Sequence, residues 1–236
     1  MNDCVVVIPT YNERDNLPGL IHSLLGMGFR CLIVDDNSPD GTGDLARMMS
    51  RGSLFVDSIH RKEKNGYGKA CLEGFRWALQ NTQANYIAQM DADGSHPPEK
   101  LPELVDAAFG YGLVIGSRYI EGGGLDTAWS SSRKLLSRFG NTYGRVLLGM
   151  EVKDITGGFR VWDRLCLGDL LQNDIGSSGY CFQIETAYLA TKVLLWAYKE
   201  VPFYFRERAL GKSKMSLKIQ LEAAWRVLQL RRIYAK

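Results

Sequence analysis

Residues 90–100 read MDADGSHPPEK, and Asp91 and Asp93 stand one residue apart at the end of an apolar run, YIAQM. In an extended segment alternate side chains share a face, so the two carboxylates would point the same way. Like charges that close repel unless a cation lies between them. Hard oxygen ligands suit Mg2+ or Mn2+. Mg2+ commonly takes one or two protein carboxylates and completes its shell with water and a substrate diphosphate. A turn in which each Asp caps backbone N–H groups would need the same residues. Further acidic strand ends on the same rim favour the metal.

The other chemistry-bearing stretches narrow the choice. DDNSPDGTGD (35–44) looks like a calcium loop, but counting from Asp36 the twelfth place, where a bidentate Glu is needed, holds Arg47. Asp35 or Asp36 could instead accept from the hydroxyl or ring N–H donors of a nucleotide. After the first apolar run the chain has PTYNERDN, with neither G-x-G-x-x-G nor GxxxxGK[ST]. Hydride transfer on a dinucleotide fingerprint and P-loop phosphoryl transfer are therefore unsupported. DADGS is close to the D-x-D-G-T of dehalogenase-type phosphatases, but it lies on about the fourth strand instead of the first. His22, His60 and His96 show no triad-like setting, and His96, before Pro97 and Pro98, reads as a turn residue.

These residues need elements to hold them. CVVVI (4–8), CLIVDD (31–36), LFVDSIH (54–60), YIAQMD (86–91) and LVIGSRY (113–119) read as strands. Residues 14–26, 43–50, 68–81 and 98–109 read as helices between them. The alternation predicts an α/β/α sandwich with a mainly parallel sheet, its strands buried on both faces. Ligands of such sheets bind at the carboxyl ends of the strands, where the acidic motifs fall. The second half is less regular, with helices expected at 132–148, 183–197 and 215–233 and an extended piece near 199–207.

At 236 residues and 45% hydrophobic the chain can build one large α/β domain. No window is apolar enough to span a bilayer, and the start shows no secretory signal. The five cysteines are scattered, which predicts buried free thiols in a reducing compartment. Residues 211–236 carry a net charge of +6 and the rest of the chain −3. A basic tail points to a local anionic partner and away from nucleic acid. In SLKIQLEAAWRVLQLRRIYAK, Leu217, Leu221, Ala224, Trp225 and Leu228 share one helical face opposite a basic one. Such a helix can pack on a core or lie at an anionic membrane surface, each Lys or Arg there contributing about 1 kcal/mol. SSSRKLLSRFGNTYGRVLLGM (130–150) is a second amphipathic stretch.

VVVIPTYNERDNL, LIVDDNSPDGT, MDADGSHPPE, GSRY and GYCFQIE together resemble the dolichol-phosphate (polyprenol-phosphate) mannose synthases, GT-A glycosyltransferases of family 2. The resemblance covers about residues 4–215 and is to the short form without membrane spans. It implies a GT-A fold over 1–210, with 211–236 as a basic amphipathic helix on the domain or at the membrane. It also implies transfer of mannose from GDP-mannose to dolichyl or polyprenyl phosphate with Mg2+ or Mn2+. By the same resemblance Pro9, Tyr11, Glu13, Val34 and Asp36 match positions that hold the nucleotide. Asp91, Ala92 and Asp93 match the metal and diphosphate segment. Ser95 stands where many relatives carry a metal-contacting Gln. Arg118 and Arg133 match arginines at the acceptor phosphate, and Arg208 and Lys214 a basic pair over the donor diphosphate. The implied location is cytoplasmic, peripheral on the cytosolic face of a membrane: endoplasmic reticulum in a eukaryote, plasma membrane in a prokaryote. The resemblance leaves two arrangements open, with and without a small membrane protein as anchor, the former as in multi-subunit relatives.

The chemistry is consistent with that set. A departing nucleoside diphosphate needs positive charge more than a proton. An acceptor phosphate is already anionic, so no strong base is required. Three alternatives share some of the features: a family-2 transferase using UDP-glucose, a processive polysaccharide synthase and a non-catalytic nucleotide-sugar-binding subunit. The processive enzymes carry Q-x-x-R-W, and here Gln229-Leu230-Arg231-Arg232-Ile233 lacks the Trp.

Overall fold

The computed structural model describes residues 3–177, 179–207 and 217–234. A seven-stranded sheet forms the centre. Its parallel half is β1 (Cys4–Thr10), β2 (Arg30–Asp35), β3 (Val56–His60) and β4 (Tyr86–Gln89). These strands alternate with α1 (Leu17–Gly26), α2 (Thr42–Gly52) and α3 (Tyr67–Asn81). Beyond β4 come α4 (Leu101–Asp106), β5 (Leu113–Ser117), the short β6 (Gly124–Leu125) and α5 (Ser131–Leu148). The chain continues through β7 (Arg160–Asp163), α6 (Arg164–Leu171), α7 (Gly179–Tyr188), β8 (Tyr198–Pro202), β9 (Tyr204–Phe205) and α8 (Leu217–Ile233).

Strand order is β3-β2-β1-β4-β7-β5-β8, with β6 and β9 paired separately. The mainly parallel α/β sandwich is therefore present. β7 differs from expectation: it is antiparallel to both β4 and β5 and separates them. Its RVWD offers only four residues and begins with a charge, so no apolar run announces it. Arg160 is nevertheless fully buried, its guanidinium donating to the Gly157 and Ile155 carbonyls and to Thr186 Oγ1. Burial pulls its pKa down to about 10.

Side-chain alternation divides the core between the two faces of the sheet. Val5, Val7, Leu32, Val34, Ile87 and Trp162 pack under α3, α6 and α7, whereas Val6, Ile8, Ile33, Ala88 and Val161 pack with Leu17 and Leu24 of α1 and Leu101 of α4. Gly74 lets α3 lie close, since a Cβ there would meet Val7 Cγ1 at 2.5 Å. All five cysteines are buried and free.

Several boundaries move. The strand expected to run through Asp91 ends at Gln89, so Asp91 and Asp93 sit in a loop. That loop turns at Gly94, at φ +79°, and the same-face argument from strand alternation does not apply to it. The helix expected at 183–197 begins at Gly179 and, after one wider turn over Leu189–Val193, stops before Leu195 at φ +58°. α8 packs through Val227 and Leu230, both buried, while Trp225 and Leu228 face outward. The side chains of Leu217 and Leu221 lie outside the described residues.

Candidate active site

Strands β1, β2, β4 and β5 deliver their carboxyl ends to one rim. The chain runs to β2 and β3 on one side of β1 and then returns to place β4 on the other, so β1 and β4 flank the switch point. Asp91 and Asp93 follow β4 there.

Each acid is held differently. Asp93 is buried, and its Oδ1 accepts from the Ser95 backbone N–H at 3.0 Å and from Ser95 Oγ at 2.5 Å. The Ser95 hydroxyl, expected as a metal contact, is thus turned onto Asp93. The Asp91 side chain is 30% exposed. Its Oδ1 accepts from the Tyr67 hydroxyl at 2.7 Å, and its Oδ2 lies 3.9 Å from His96 Nε2. Among the described residues no Lys or Arg pairs with Asp91.

His96 is not a plain turn residue. It is buried, stacked on Phe159 at 5.1 Å and edge-on to Phe203 and Phe205. Its Nδ1 accepts the Asp91 backbone N–H at 3.0 Å, which fixes the loop just where the acids emerge. Burial lowers its pKa despite the neighbouring acids. Pro97 and Pro98 then redirect the chain into a helical turn, since neither can donate to a continuing ladder.

The β2 end is engaged by protein donors. Asp35 accepts from Ser38 N–H at 3.0 Å and lies 3.0 Å from His60 Nδ1. Asp36 accepts from the Asn65 and Gly66 backbone N–H groups at 3.0 and 2.8 Å and pairs with Arg61. It anchors the 61–66 loop that leads into α3. Pro9 and Val34 face each other across β1 and β2 and are both buried. Tyr11 carries the Lys64 ammonium 3.7 Å over its ring. The Glu13 backbone starts α1 by accepting from Asn16 and Leu17, and its carboxylate takes Asn16 Nδ2 at 2.8 Å.

The two arginines assigned to the acceptor phosphate differ in setting. The Arg118 side chain is only 8% exposed and is clamped by Asp154, with Nε and Nη2 on the two carboxylate oxygens at 2.7 and 2.8 Å and a further bond to Thr156. Burial would lower its pKa, but Asp154 outweighs this and leaves it raised. Arg133, near the start of α5, is one-third exposed, lies 3.5 Å over the Trp129 ring and pairs with Glu207. Arg208 and Lys214 lie outside the described residues. The described chain before them ends at Glu207, and the backbone N–H of Arg206 reaches Ser95 O at 3.1 Å.

The sequence pattern of glycosyl transferase family 2 matches residues 5–170. The chain belongs to that family. Among curated family-2 relatives, the polyprenol monophosphomannose synthase of Mycolicibacterium smegmatis is 44% identical over 230 residues, covering 95% of this chain and 85% of that protein. The undecaprenyl-phosphate mannosyltransferase of Micrococcus luteus is 42% identical over 218 residues, covering 90% and 87%. Solved structures agree on the GT-A fold. The glucosyl-3-phosphoglycerate synthase of Mycobacterium tuberculosis with Mn2+, UDP and phosphoglyceric acid gives a TM-score of 0.66 at 18% identity, covering 96% of this chain and 76% of that one. A mannosyltransferase of Pyrobaculum calidifontis with GDP-Man and Mn2+ gives 0.65 at 15% identity, covering 98% and 64%.

The donor set of this family-2 site suits a hard divalent ion. Asp91 and Asp93 bring two carboxylates to the rim, and among the described residues no group of three His, Cys, Asp or Glu gathers there. A substrate diphosphate and water would have to supply the remaining ligands, the usual arrangement for Mg2+.

Tyr67, Asp154 and Gln183 escaped the sequence reading. Tyr67 opens α3 far from the acids in sequence. Asp154 precedes β7, which was itself missed. Gln183 lies in GYCFQIE, a stretch that stood out only by resemblance.

Proposed function

We propose that this chain transfers mannose from GDP-mannose to the phosphate of a polyprenyl lipid, with inversion at the anomeric carbon. The observation that carries this reading is the pair Asp91 and Asp93 at the switch point, in a chain over 40% identical to two polyprenyl-phosphate mannosyltransferases across at least 90% of its length. Asp91 and Asp93 hold the divalent ion, with Ser95 orienting Asp93. Bound there, Mg2+ or Mn2+ supplies positive charge against the diphosphate as it departs.

The chain's own residues do the rest. Tyr11 and Glu13, backed by Pro9 and Val34, border the nucleotide, and Asp36 shapes the facing loop. Ala92 keeps the backbone between the acids small beside the diphosphate. Arg208 and Lys214 are proposed to approach the diphosphate from the 206–216 segment. Arg133 grips the acceptor phosphate in a fixed orientation, and Arg118 sets the wall behind it. A phosphate oxygen bonds to the anomeric carbon as the bond to the diphosphate breaks, its electron pair leaving with GDP. No proton has to move, in keeping with the absence of a Ser-His-Asp arrangement at the rim among the described residues.

The acceptor is amphipathic, and the surface beside Arg133 suits it. Leu135, Leu136, Phe139 and Val146 of α5 and Trp225, Leu228 and Ile233 of α8 are exposed, with Arg231 and Arg232 alongside. Among the described residues no helix is long and apolar enough to cross a membrane. We place the chain peripherally on the cytosolic face of a membrane, through this apolar and basic surface, with or without a small anchoring protein.

The test is incubation with labelled GDP-mannose or UDP-glucose beside a short polyprenyl phosphate, with Mn2+ or EDTA. We expect GDP-mannose to be used, EDTA to stop transfer and Asp93→Ala to lower turnover by orders of magnitude. Undiminished activity in that variant overturns the metal assignment, and transfer from UDP-glucose alone overturns the donor.

A further inference from the structure

Beneath Asp91 three elements converge on one hydroxyl. Tyr67 from the start of α3 reaches Asp91 Oδ1 at 2.7 Å. Gln89, the last residue of β4, directs its Nε2 to the same phenol oxygen at 3.0 Å. Gln183 of α7 does so at 3.1 Å. A phenol has one proton to give and two lone pairs to receive. With two amide donors on its lone pairs, its single proton is directed to Asp91.

We propose that Tyr67 is a positioning residue that commits Asp91 Oδ1 to the protein and leaves Oδ2 as the oxygen offered to the metal. This rests on the reading of Asp91 as a metal ligand. Several observations agree. Oδ2 is the oxygen the phenol leaves uncovered, on a carboxylate that is 30% exposed, and lies 3.9 Å from His96 Nε2. The backbone N–H of Asp91 is independently fixed by His96 Nδ1 at 3.0 Å, so rotation of the carboxylate is the freedom that remains. The ring of Tyr67 is steadied edge-on by Phe182 at 6.4 Å. Opposite, Gly158 leaves just enough room: a Cβ there would stand 3.0 Å from the Tyr67 hydroxyl, 3.1 Å from Gln183 Nε2 and 3.5 Å from Asp91 Oδ1. The two amides keep this orientation although Oε1 of Gln89 and of Gln183 are buried without a hydrogen-bond partner among the described residues. Groups that orient a metal ligand in this way commonly change metal affinity when removed, even though they never touch the ion.

The experiment measures Mn2+ binding directly, by the paramagnetic resonance signal of free Mn2+ titrated against the full chain with saturating GDP. Tyr67→Phe keeps the ring and removes the hydroxyl. It is expected to weaken Mn2+ binding by about ten- to a hundredfold while melting close to the parent. Gln183→Leu, which frees one lone pair of the phenol, should give a smaller loss in the same direction and carries the test should Tyr67→Phe not fold. Parental Mn2+ affinity in a folded Tyr67→Phe, with Asp91→Asn having lost it, overturns the positioning role and leaves the function intact. Failure of the parent chain itself to bind Mn2+ with GDP overturns both. If neither glutamine nor tyrosine variant changes Mn2+ affinity, the carboxylate needs no such orientation and the proposal falls.

Discussion

Arg118 and Asp154 form a bidentate ion pair, 2.7 and 2.8 Å long, from which water is almost wholly excluded. The arginine follows β5 and the aspartate precedes β7, so the pair ties two strand ends together beside the proposed acceptor site. Asp154 also accepts the Arg118 and Gly157 backbone N–H groups, both at 3.0 Å. Removing one partner would strand the other charge in a dry place.

Asp154→Asn should accordingly destabilise the fold by about 3–5 kcal/mol at neutral pH, measured by denaturant titration. Burial would raise the Asp154 pKa, but Arg118 outweighs this and holds it below the ordinary carboxylate value. The unfolded pKa, about 3.9, therefore lies above the folded one. The pair's contribution is complete above the unfolded value and disappears as pH falls through the folded value. Thermal melts should show an acid-side loss below about pH 4 that is missing from the Asn variant.

Arg133 should behave otherwise. It is one-third exposed and its guanidinium lies on the Trp129 face, so Arg133→Ala should leave the melting temperature nearly unchanged. Its expected effect is a raised KM for the lipid phosphate with KM for GDP-mannose unaltered. Equal changes in both constants would remove it from the acceptor site.

Gly158→Ala tests how little room the Tyr67 cluster leaves. The added methyl would press the hydroxyl and Gln183 at 3.0 and 3.1 Å, both tighter than ordinary van der Waals contact. Turnover should fall by more than stability does, read as kcat beside a thermal melt. A variant with full kcat would show that the cluster yields freely.

The apolar surface of α5 and α8 predicts binding to anionic vesicles. Phe139→Glu and Trp225→Glu replace exposed apolar side chains, 67% and 63% accessible, with like charge for the lipid. Sedimentation with phosphatidylglycerol vesicles should drop for both, and Mn2+–GDP binding should not. Unchanged sedimentation would place the docking surface elsewhere.

Much of the fold was legible because parallel strands buried on both faces write themselves as continuous apolar runs. β1, β2 and β5 were found in this way, as were the helices between them. β7 was not, since its buried first residue, Arg160, is satisfied by carbonyls of the preceding loop and by Thr186 of α7, which no apolar run signals. The face of α8 also needed tertiary contacts: Val227 and Leu230 go inward, and Trp225 and Leu228, expected on the apolar stripe, go out.

By itself the sequence determined which charges reach the rim, because strand ends and their turn residues are local matters of period, proline and glycine. Asp36 and Arg118 follow their strands as those rules require, and Asp91 and Asp93 reach the same rim although β4 ends at Gln89, before them. Tertiary structure alone decided what each charge is able to do. Asp36 is drawn into a loop, Arg118 is neutralised by an aspartate 36 residues away, and Asp91 has one oxygen taken by Tyr67 while the other is left to the part-exposed rim. A charge acts through its nearest partners and its exposure, and both come from segments that meet only when the chain is folded.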